Sequence, residues 1–110
     1  MQITYYNNLY IDAKLVKKKE LLKYQLEKNE WHSHVHLITL AREEQNHLEF
    51  FSTRMLKQEI FAPPTLFVVG FAAGYDEARE IVREIVEEVY QKTGSVDIRR
   101  FLLEHSERGF

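Results

Sequence analysis

The chain has 110 residues, a length that suits one domain spanning 1–110. Apolar residues make up 45% of it, enough to build a core, and charged residues 29%, enough for a soluble surface. There is no cysteine, which excludes disulfides, thiolate nucleophiles and cysteine-held zinc. A net charge of −2 and a pI near 6.2 argue against a general grip on nucleic acid.

The N-terminus "MQITYYNNLYID" has no basic segment followed by a greasy one, so no signal peptide is expected. No apolar run approaches the ~18 residues of a membrane span. These features lead us to expect a cytoplasmic protein with no membrane partner.

"QITYY" is rich in β-branched and aromatic residues and reads as a short first strand. Asn7 and Asn8 then signal a turn. Asp12 is placed to cap a helix running to about Lys28, with Leu15, Leu22 and Leu26 on its inner face. Val16 and Leu21 lie at that face's margins, and lysines coat the rest. "HVHLITLA" is the second strand, with Val35 and Leu37 on one side and Ile38 and Leu40 on the other.

In "REEQNHLEFFSTRMLKQEIF" the residues Leu48, Phe51, Met55 and Leu56 have helical spacing. They predict a helix from about Glu43 or Asn46 to Gln58, stopped by Pro63 and Pro64. "LFVVGFAAG" is the most continuous apolar run and predicts a buried central strand. "YDEAREIVREIVEEVYQKTG" is the clearest helix, with Asp76 as its cap and Gly94 as its stop. Its apolar stripe is Ala78, Ile81, Val82, Ile85, Val86, Val89 and Tyr90. Asp97 is expected to cap a last short helix that buries Ile98, Phe101 and Leu102.

The order strand, helix, strand, helix, strand, helix, helix predicts an α/β fold with a small three-stranded, mainly parallel sheet. Such a sheet leaves two open edges, so pairing with a second copy is expected.

"WHSHVH" places His32, His34 and His36 on one face of a strand, about 7 Å apart in steps of two. His34 and His36 could share a metal only with a distant third ligand. They also lie at the amino end of their strand, away from where open α/β sheets gather ligands. A solvated strand entrance is therefore preferred, with no metal and no cofactor.

The carboxyl ends of the strands collect a different set. Gly74 opens the turn into the best helix, where backbone N–H groups point outward. Asp76 and Glu77 already supply negative charge there, and neither GxGxxG nor a P-loop lysine is present. Asn7, Asn8, Arg42, Gly74, Tyr75 and Asp76 could still line a crevice for a small polar ligand. No catalytic set of side chains emerges.

The leading expectation is thus a non-catalytic binding or regulatory module that forms a homodimer. The alternative is a polar-ligand protein or enzyme with its site at the strands' carboxyl ends. Charge is uneven: six lysines face two glutamates between Ala13 and Lys28, and six acids face three bases between Asp76 and Lys92. Two solvated helix faces of opposite sign are the simplest account of that pattern, a complementary surface for self-association or a partner the functional one.

The block "VVGFAAGYDEAREIVREIVEEVYQKTGSVDIRRFL" (Val68 to Leu102) resembles part of a family of small Firmicutes α/β proteins. They share a VGxAxGYDEA…EEVYxxTG…DxR pattern, and "YYNNLYID" before a lysine-rich helix is similar too. The resemblance implies a bacterial cytoplasmic protein with these domain limits. The family has no assigned activity, so the likeness transfers no catalytic residue.

Overall fold

The computed structural model describes residues 2–28, 30, 35–41, 47–57 and 65–104. Strand β1 (Gln2–Ile11) leads through a 3-10 turn (Val16–Lys18) into helix α1 (Lys19–Glu27). Strands β2 (His36–Leu40) and β3 (Leu48–Ser52) follow, then a second 3-10 turn (Thr53–Lys57). Strand β4 (Thr65–Ala72) and helices α2 (Tyr75–Thr93) and α3 (Ile98–Glu104) complete the order.

The four strands form one mixed sheet in the order β1-β4-β2-β3. β1 runs parallel to β4, whereas β2 is antiparallel to both β4 and β3. The expected α/β class is correct, but the three-stranded, mainly parallel sheet is not. The missing strand is β3, which occupies the centre of the expected helix. The spacing Leu48, Phe51, Met55, Leu56 joins two structures. Phe51 points to one face of the sheet from β3, and Leu56 reaches the same face from the 3-10 turn. A strand followed by an i,i+3 turn can imitate a helical period.

β4 is an inner strand, as its unbroken apolar run predicted. Leu66, Val68 and Phe71 face one side, and Phe67, Val69 and Ala72 the other. The switch of phase at Val69-Gly70 is a bulge. Ile38 lies opposite Gly70 and Thr39 opposite Val68, so Val69 is an extra residue. β1 bulges at the same level and further. Tyr5 lies beside Val68 and Tyr10 beside Gly70, so Tyr6 to Leu9 span the length of one β4 residue.

Helices cover both faces. α2 and α3 bury Ala78, Ile81, Ile85, Val89, Ile98, Phe101 and Leu102 against Tyr6, Ile38, Leu40 and Val69. Burial of Ile81, Ile85 and Val89 is worth about 1.5–3 kcal/mol apiece. Leu15, Leu22 and Leu26 of the α1 layer pack on the other face against Tyr5, Leu37, Val68 and Phe71. The lysine-rich and acid-rich helices therefore lie on opposite sides of the sheet. Among the described residues no helix is long and apolar enough to cross a membrane.

The ends of the helices follow their sequences with two exceptions. Gly94 closes α2 at φ 70°, a left-handed conformation that glycine adopts without a Cβ penalty. Asp97 accepts the Arg100 N–H at 3.2 Å and caps α3. Asp76, however, lies inside the first turn of α2, and the cap position belongs to Gly74. Asp12 does not cap α1, which begins at Lys19. Tyr90, expected on the apolar stripe, is 58% exposed.

Candidate functional site

The carboxyl ends of β1 and β4 meet at the start of α2. Asp12 ties them together. Its backbone N–H donates to the Phe71 carbonyl at 3.1 Å. Its carboxylate accepts the Lys14 N–H through Oδ1 and the Ala73 N–H through Oδ2, both at 3.0 Å. This local turn directs the chain away from β1 instead of starting a helix.

Lys14 then reaches across to α2, with Nζ 2.8 Å from Glu77 Oε2. The other oxygen of Glu77 lies over Gly74, where an added Cβ would approach it to 3.1 Å. Gly74 has extended backbone, so close approach of this carboxylate is what favours a small residue there. The Lys14 ammonium, and then Glu77's own backbone N–H, hold the Glu77 carboxyl below its usual range. A chain carboxylate thus occupies the positive end of α2, where an external anion would otherwise bind.

His36 stands opposite Ala72 on the α2 side of β2. Burial lowers its pKa, and the charge of Glu77 partly opposes that shift. Its Nδ1 is enclosed and has no hydrogen-bond partner among the described residues.

A second feature lies nearer the sheet margin. Tyr75, first residue of α2, packs on Phe50 of β3 with ring centres 5.4 Å apart and planes inclined by 57°. Arg79 lies over the Tyr75 ring, 5.9 Å from its centre. Tyr75 nevertheless keeps 59% of its surface exposed. The pair forms an aromatic ridge along an outer strand of the sheet.

The β1 bulge is held by a third group. Tyr6 and Tyr10 stack with ring centres 5.8 Å apart and planes within 3°. The Tyr10 hydroxyl donates to Glu88 Oε2 at 2.5 Å, and Lys92 donates to Oε1 at 2.9 Å. Burial and then the Glu88 hydrogen bond push the Tyr10 pKa upward. No local pattern marks this lock, because it joins residues 78 positions apart.

Asn7 and Asn8 are exposed in the β1 bulge, within a strand and not after one. Gly74, Tyr75 and Asp76 stand together at the start of α2. Among the described residues no hydrogen bond or ring contact joins Asn7 or Asn8 to Tyr75 or Asp76. Arg42, His32 and His34 lie outside the described residues. Among those described, no three histidine, aspartate or glutamate side chains group to hold a metal ion.

One cleft of about 320 Å³ lies beside the α2–α3 turn, lined by Thr93, Ser95, Asp97, Arg100, Phe101 and Glu104. Its polar groups are used locally: Asp97 caps α3, Arg100 pairs with Glu104 at 3.1 Å, and Thr93 Oγ1 donates to the Val89 carbonyl.

Comparisons with family profiles, with characterised proteins and with solved structures found no match to this chain.

Proposed function

We propose that this protein is a non-catalytic binding or regulatory module that acts as a homodimer. The observation that carries the reading is β3. It is an outermost strand, its outer edge pairs with no strand among the described residues, and it bears the Phe50–Tyr75 ridge. An outermost strand beside exposed aromatic surface is the ordinary material of strand-mediated association.

The other outer strand is less suited to this. Regular pairing of β1 breaks after Tyr5, and the bulge through Leu9 twists that edge away from an incoming strand. Light scattering of the untagged protein, from micromolar to millimolar concentration, tests the reading. A mass of two chains supports it. One chain at every concentration overturns the dimer.

A further inference from the structure

We infer that two copies pack their Phe50–Tyr75 ridges together across a two-fold axis, with Asp76 of each copy meeting Arg79 of the other. The inference rests on the homodimer reading and adds the surface and the contacts that hold it.

The charges of α2 single out this place. Glu77 pairs with Lys14, Arg83 with Glu80 and Glu87, and Lys92 with Glu88. Asp76, Arg79 and Glu84 are exposed and enter no ion pair among the described residues. Glu84 lies about two and a half turns beyond Tyr75 and so projects from the opposite side of the helix. Asp76 and Arg79 stand one turn apart beside Tyr75. Arg79 lies over the Tyr75 ring, 5.9 Å from its centre, and does not pair with Asp76.

An acid and a base therefore flank the ridge without ionic partners, and together they select what can cover it. An acidic partner would answer Arg79 and repel Asp76, and a basic one would do the reverse. A second copy in antiparallel orientation answers both. A two-fold axis passing between residues 76 and 79 sets each Asp76 on the Arg79 of the other copy, so one pair forms twice.

The apolar side chains agree. Tyr75, Arg79 and Val82 follow one another at i, i+4, i+7 along one side of α2. Phe50 and Val82 are only half-buried within one copy. The axis places the two Tyr75 rings on either side of it, each backed by its own Phe50 with ring centres 5.4 Å apart. Exposed aromatic surface on one copy then covers that on the other, and the two charge pairs rim it. The contact is made by side chains and asks nothing of the β3 backbone. Built on few residues, it makes a weak, concentration-dependent dimer.

Charge exchange tests this, because both residues are exposed and neither substitution touches the core. Asp76→Arg alone sets arginine against Arg79 at both contacts. Arg79→Asp alone sets aspartate against Asp76 at both. Each is expected to raise the dimer dissociation constant about ten-fold, read by sedimentation equilibrium. Mixed in equal amounts, the two proteins form a heterodimer in which both contacts join opposite charges. Its dissociation constant is expected to return to within about three-fold of the parent's. Tyr75→Ser removes the ring and leaves the charges, and is expected to weaken the dimer about ten-fold. It decides the matter if an exchanged protein fails to fold by circular dichroism.

Weakening by both single exchanges with no recovery on mixing overturns the two-fold pairing. A parent dimer that neither the exchanges nor Tyr75→Ser weakens overturns the ridge as its surface while leaving the homodimer reading intact. A parent that is monomeric at every concentration overturns both.

Discussion

Asp12 and Ala73 stand 61 residues apart in the chain and 3.0 Å apart in the fold. The Asp12 carboxylate accepts the Ala73 N–H just as β4 turns into α2 and, through its other oxygen, the Lys14 N–H just as β1 turns toward α1. One short side chain thereby satisfies two backbone donors where two strands end. It also positions Lys14 to meet Glu77 on α2. Asp12→Ala is expected to lower stability by about 1–3 kcal/mol, the cost of leaving partly buried donors without their partner. Asp12→Asn keeps one acceptor oxygen and recovers part of the loss. Urea unfolding of the three proteins measures both effects, and an Asp12→Ala midpoint equal to the parent's contradicts this role.

Gly70 carries the second expectation. A Cβ there would lie 2.4 Å from the Tyr10 carbonyl oxygen, and that neighbour is backbone. Its space is taken by the β1 chain returning from its bulge, and the bulge is locked by Tyr10 and Glu88. Gly70→Ala must push two paired strands apart and is expected to cost about 1–3 kcal/mol or more. Gly94→Ala is strained for a different reason, its positive φ, and costs about 1 kcal/mol. Thermal unfolding should rank Gly70→Ala below Gly94→Ala.

Thr39 offers a test with the opposite sign. It is fully buried in β2, and its Oγ1 has no hydrogen-bond partner among the described residues. Valine keeps the β-branched shape and removes the unsatisfied hydroxyl. Thr39→Val is expected to raise stability by about 1 kcal/mol. A higher denaturant midpoint at unchanged slope supports the account, and a lower midpoint contradicts it.

His36 sets a pH dependence. Burial holds its pKa below the ordinary value of about 6.5, so the unfolded chain binds its proton first as pH falls. Stability should decline as pH drops through about 6.5 and continue to decline until the folded pKa is reached. His36→Gln cannot take up that proton, and its stability should change less across the same window. Between pH 7.5 and more acidic solution the parent's urea midpoint should fall further than that of His36→Gln, and an equal fall in the two contradicts this sign.

The contrast between α2 and β3 shows what could be read from the sequence. α2 declares itself through Ile81, Ile85 and Val89 at helical spacing, and a local pattern matches a local structure. β4 does so through its unbroken apolar run between two helical layers. β3 has only five residues and runs straight into a 3-10 turn, so no period establishes itself before the geometry changes. Asn7 and Asn8 carry turn chemistry, yet they sit in a bulge because Tyr6 and Tyr10 anchor the chain on either side. The Phe50–Tyr75 contact depends on which strand lies outermost, and strand order has no local signature.

The β3 edge is the centre of this account, and amide hydrogen exchange followed by NMR tests it most directly. Within one copy, Glu49 and Phe51 face β2 in the hydrogen-bonded register, whereas Leu48 and Phe50 alternate to the outer side. If β3 joins two copies, the Leu48 and Phe50 amides exchange slowly in concentrated protein and speed up on dilution, while Glu49 and Phe51 stay protected throughout. Fast exchange of Leu48 and Phe50 at every concentration would contradict association through β3.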